Sequence, residues 1–132
     1  MDKLLSAKNV LTLIGVVSLI EGIGFYFGAE MVSQRAFPAN LLEGGGLTVG
    51  TLLHQALGAS VVAMSVIILF ARSLETSAAN RILNGVGVAL LVFLGSSLIH
   101  LFNTEAKPPI PVLILFAIFA LAAFYTANKK PA

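Results

Sequence analysis

The chain has 132 residues, 58% of them apolar and only 11% charged, with a net charge of +2, whereas soluble domains carry about 45–50% apolar and about 25% charged residues. A soluble globule of this size still exposes about a third of the surface its chain presents, so this composition calls for lipid as the solvent and for one domain only. The small net charge, with no basic run beyond Lys129-Lys130, speaks against nucleic-acid binding, and the absence of Cys excludes disulfides, iron–sulfur clusters, thiolate metal sites and Cys nucleophiles.

A bilayer core of roughly 30 Å needs about 20 helical residues, and four stretches meet that requirement. The first runs from about Val10 to Gly28, and its length and Glu21 argue against a cleavable signal. A semi-apolar connection follows, in which Pro38 breaks any helix and MVSQRAFPANLL is suited to the membrane interface. The second span covers about Leu47 to Ala71, and the polar turn RSLETSAANR follows it, with Thr76 or Ser77 as candidate caps. The third covers about Ile82 to Phe102. Lys107-Pro108-Pro109-Ile110-Pro111 then starts the fourth, about Ile110 to Ala127, whose few small residues suggest a lipid-facing wall. Apolar runs of this length without strict alternation predict helices and not a barrel. The expected fold is all-α, a single four-helix transmembrane bundle over residues 1–132.

Lys3, Lys8, Arg72, Arg81, Lys129 and Lys130 fall on one side of that layout, and Arg35 and Lys107 on the other. The positive-inside rule then gives an N-in, C-in topology, and the expected location is a bacterial inner membrane, crossed several times.

Ionisable groups inside a span are costly and point to function. Three occur, Glu21, His54 and His100, and Gln55 adds an amide beside His54. Glu21 lies seven residues before Gly28 and His54 seven after Leu47, so each sits roughly 10 Å below the same boundary. His100 is shallower. Small residues frame them: Gly46, Gly50, His54 and Gly58 recur every four positions, Ser18, Glu21, Gly24 and Gly28 at three and four, and Ser96 precedes His100 by four. Such faces let transmembrane helices approach closely, so Gly24, Gly28, Gly46, Gly50, Gly58 and Ser96 are expected at helix contacts. Each polar group also has a plainer role. Glu21 can lock the first span to its neighbours, His54 can donate one hydrogen bond to Glu21 or to a carbonyl, and His100 can simply lie at the interface. Gly44-Gly45-Gly46 lacks the Lys-Ser/Thr of a phosphate loop.

The four short spans, the loop with Pro38, the tight turn with Arg72 and Arg81, and Ser96-Ser97-Leu98-Ile99-His100 followed by Lys107-Pro108-Pro109 resemble DoxX-like and related bacterial four-helix membrane proteins of unassigned function. Ile14-Gly15 with Leu19-Ile20-Glu21-Gly22-Ile23-Gly24 is similar to the first helix of small multidrug resistance transporters. That resemblance implies that Glu21 exchanges protons for cationic compounds.

Three functions follow. The first is a non-enzymatic binding, interaction or accessory subunit with Glu21, His54 and Gln55 holding its helices in register. Its partners are the bilayer and a second copy or larger membrane complex. The second is a proton-coupled transporter using Glu21, in which a carboxyl in low dielectric resists ionisation and an adjacent His restores it. The third is a haem-binding redox protein with His54 and His100 as axial ligands. The residues form no catalytic set, and no resident metal is expected.

Overall fold

The computed structural model describes residues 6–105 and 108–129, so Lys3, Lys107 and Lys130 of the charge count lie outside the described residues. The regular elements among these residues are all helices: α1 (Ala7–Phe27), α2 (Ala29–Ala36), α3 (Ala39–Leu42), α4 (Gly46–Ala71), α5 (Thr76–Asn103) and α6 (Ile110–Asn128). Four of them, α1, α4, α5 and α6, are long and apolar enough to cross a bilayer.

Local chemistry sets the ends. The Asn9 N–H donates to Ser6 Oγ at 3.3 Å, which caps α1. Gly28 separates α1 from the short α2, and Pro38, without an N–H, closes α2 and precedes α3. Gly44 and Gly45, at φ of 56° and 97°, take the left-handed backbone that turns the chain into α4 and that other residues resist. α5 starts at Thr76, earlier than the apolar pattern suggests. Its N-cap is Glu75, which makes no side-chain bond, so neither Thr76 nor Ser77 acts as the cap.

The helices form two tight pairs, α1 with α4 and α5 with α6, and α1 also touches α5 and α6. The α1–α4 pair rests on backbone contact. A Cβ on Gly58 would stand 2.6 Å from the Tyr26 nitrogen and 2.7 Å from the Gly22 oxygen, and one on Gly22 would stand 2.9 Å from the Val62 nitrogen. Gly15 and Gly87 play lesser parts, against the Leu69 side chain and the Phe124 ring. Gly50 packs on Ser33 of α2. The other small residues sit elsewhere: Gly24 faces open space, Gly28 meets the carbonyl of its own helix at Gly24, and Gly46 abuts the Leu41 carbonyl in the preceding turn. Ser96 is exposed on α5. α6 is more than a lipid-facing wall, because Leu113, Phe116, Phe119, Ala120, Ala123 and Thr126 form a buried face. Asn128 also donates to Asn84 of α5 at 3.1 Å.

The core lies toward one end of the bundle. Ala7, Leu11 and Ile14 of α1 meet Ile68 and Ala71 of α4, Ala79 and Leu83 of α5, and Phe119 and Ala123 of α6. All are near the termini and the turn at 72–75, which we call the terminal end. Toward the opposite end, which carries α2 and α3, the two pairs separate. α4 and α5 follow each other in sequence yet make only a few contacts.

Candidate functional site: an apolar cavity with a buried carboxyl

The separation leaves a cavity of about 480 Å³ between the four long helices. Ile14, Ser18, Glu21 and Phe25 of α1 line it at successive turns. α4 contributes Leu57 to Ile68, α5 contributes Arg81 to Phe93, and α6 adds Val112 and Phe116. Phe93 and Phe116 meet edge to face with centroids 5.1 Å apart. The lining is almost entirely apolar. Ser60 and Ser65 hydroxyls donate to their own helix, at the Ala56 and Val61 carbonyls, 2.9 and 2.7 Å away. Neither hydroxyl hydrogen is available to a ligand.

The exceptions are Ser18 and, one turn after it on α1, the ionisable Glu21. Both Glu21 carboxyl oxygens are buried and neither has a hydrogen-bond partner among the described residues. No protein donor among the described residues meets the carboxyl, so its polar demand is left to whatever enters the cavity: a proton, water or a cation. Arg81 is the only other ionisable residue of the lining, and it is exposed toward the terminal end.

His54 does not join Glu21. Its Nδ1 lies 2.8 Å from the Gly50 carbonyl and 2.8 Å from Ser33 Oγ. The carbonyl only accepts, and the Ser33 hydroxyl donates to the Ala29 carbonyl at 2.9 Å, so Nδ1 carries the proton and donates to both. The ring stacks on Phe25 at 6.3 Å and meets Phe37 edge-on at 6.0 Å. Phe25 therefore touches His54 and also lines the Glu21 cavity. These contacts tie His54 of α4 to Ser33 of α2 and to Phe37 at its end. Replacing His54 with Ala is expected to speed hydrogen exchange of the α2 amides about tenfold, the effect of losing a hydrogen bond worth about 1 kcal/mol. Exchange in α2 that is unchanged in His54→Ala would mean that these contacts do not hold α2.

Gln55 is half-buried beside His54, and His100 is exposed near the end of α5, where its carbonyl accepts from the Thr104 backbone N–H. Thus Glu21, His54 and His100 occupy three separate environments. No group of three or more His, Cys, Asp or Glu side chains comes together among the described residues. The sequence stripes did not disclose Ser33, or the pairing of Phe93 with Phe116. The one available signal for Ser33 was its spacing from Ala29, two small residues four apart in a short helix of mixed polarity.

The chain matches no protein-family model, no curated protein and no solved structure.

Proposed function

We propose that the protein is a non-enzymatic, membrane-embedded binding protein that takes a hydrophobic cation into the cavity at Glu21 in exchange for a proton. The observation that carries this reading is the buried, unpartnered carboxyl in an otherwise apolar cavity of about 480 Å³. An apolar cavity with one polar anchor suits a small ligand that is mostly hydrocarbon, and a lone carboxyl selects a positive one. If Glu21 served only to hold helices in register, it would have a partner on a neighbouring helix, and among the described residues it has none. The charge asymmetry of the full chain, six basic residues against two, supports an orientation with the terminal end in the cytoplasm. α2 and α3 then lie at the outer face of a bacterial inner membrane.

Tetraphenylphosphonium is a suitable probe because its charge does not change with pH. Glu21→Gln is expected to weaken its binding to the purified protein about tenfold or more, as loss of a charged contact worth 1.5–3 kcal/mol requires. His54→Ala is expected to leave binding within about twofold, since that ring is engaged with α2. Acidification should weaken binding in the parent protein, because a proton competes for the same carboxyl. It should not do so in Glu21→Gln, since the remaining ionisable residue of the lining, Arg81, stays charged throughout. Equal affinity of the parent protein and Glu21→Gln would refute the proposal.

A further inference from the structure

Resting on that reading, the geometry points to a ligand that arrives sideways from the bilayer: we infer that a single-chain amphiphilic cation slides between α4 and α5, places its charge at Glu21 and lays its alkyl chain along the cavity toward the terminal end.

Exposure around the cavity gives the direction. Its floor is α1, where Ile14 is buried and Ser18 and Glu21 are half-buried. Its two side walls are open to the surroundings. Met64 and Ile67 of α4 are 54% and 59% exposed, and Arg81, Gly85 and Ala89 of α5 are exposed as well. A Cβ on Gly85 would meet nothing within 4 Å. The gap between α4 and α5 is therefore a slot along the side of the bundle. The lining runs over thirteen residues of α5, from Arg81 to Phe93, about 18 Å at a rise of 1.5 Å per residue. Most of that length lies within helices long enough to span the hydrocarbon, so the slot faces acyl chains.

The shape and the single anchor define the occupant. Gly22 meets the backbone at Gly58 and Val62, which sets Glu21 at about the level of Ser60 and Val61. From there to Ile68 the α4 wall extends about 12 Å, all of it apolar apart from Ser60 and Ser65, whose hydroxyls are bonded within α4. A phospholipid tail would fill this length but leave the carboxyl unpartnered. A cation on a single alkyl chain satisfies both.

The chain has no Trp, so one introduced Trp reports from one place. Phe116 lines the cavity yet is only 8% exposed, and Ile114, two residues earlier on α6, is 57% exposed. Phe116→Trp and Ile114→Trp, each in the full-length protein, are placed in phosphatidylcholine vesicles brominated along the acyl chains. Quenching of Phe116→Trp is expected to reach about half or more of that of Ile114→Trp, and aqueous iodide should quench neither. Dodecyltrimethylammonium should relieve the quenching of Phe116→Trp and leave Ile114→Trp unchanged. With Glu21→Gln added, the same relief should need about tenfold more of the cation. If brominated lipid fails to quench Phe116→Trp, or iodide succeeds, the sideways route is overturned even where Glu21→Gln weakens binding. If relief is the same with and without Glu21, the binding reading fails instead and the slot holds phospholipid chains. Leu90→Trp, half-buried in the same lining, repeats the test should Phe116→Trp not fold.

Discussion

Gly58→Leu is expected to separate α1 from α4 and lose the folded bundle, whereas Gly24→Leu should be nearly silent. The two glycines look alike in the sequence, but their surroundings are opposite. A Cβ at Gly58 would stand 2.6 Å from the Tyr26 nitrogen and 3.0 Å from the Tyr26 Cα. These are backbone atoms of a neighbouring helix, which cannot rotate aside as a side chain can. Overpacking in a closed core usually costs 1–3 kcal/mol, and here the only relief is to part the helices that form the tightest pair in the molecule. We expect a loss of about 3 kcal/mol, read as a lower melting temperature in detergent. A Cβ at Gly24 meets nothing within 4 Å, so Leu there should add an apolar surface residue and change stability by less than about 0.5 kcal/mol. Similar melting temperatures for the two variants would show that the crossing does not depend on Gly58.

The same pair of glycines shows what the sequence reveals and what it withholds. Lengths of apolar run, Pro38, the Gly-rich turn and the polar segment after Ala71 suffice for four long helices and their connections, because each is a local property of the chain. Which side of a helix meets a neighbour is not local. Gly22 and Gly24 are two residues apart, hence about 200° apart around α1. Only the position of α4 decides between them, and it takes Gly22. In a soluble helix the apolar stripe would mark the buried face, but here the lipid-facing side is equally apolar. That is why α6, with Phe116, Phe119, Ala120 and Ala123 on one buried face, reads as featureless. The candidate site follows the same logic. Equal depth of Glu21 and His54 was expected from the 1.5 Å rise, but the crossing of Gly22 with Gly58 and Val62 sets Glu21 level with Ser60 and Val61, about 10 Å along α4 from His54, and the direction of each side chain was not readable at all. His54 turns to Ser33 of α2, a residue on a connection that has no strong pattern of its own. Glu21 turns to the space left where the two helix pairs part, and no periodicity marks an empty volume.

Glu21→Met is expected to make the protein more stable while removing its capacity to bind a hydrophobic cation. The prediction separates a working carboxyl from a structural one. A carboxyl that fastens helices together loses its hydrogen bonds on replacement, and the fold weakens. Here both oxygens are buried with no partner among the described residues, so the substitution breaks no hydrogen bond to them. It removes instead a polar group held away from water, a burden of about 1–3 kcal/mol, and offers a side chain of similar length to walls made of Ile14, Leu57, Val61 and Phe116. The expected gain is about 2 kcal/mol, seen as a higher melting temperature in detergent, together with loss of tetraphenylphosphonium binding. Glu21→Gln keeps an unpartnered polar group and should therefore lose binding with little gain in stability. A lower melting temperature for Glu21→Met would mean that the carboxyl holds the bundle together. A higher one would place Glu21 among residues that burden the fold for the sake of a ligand, the trade expected at a functional site.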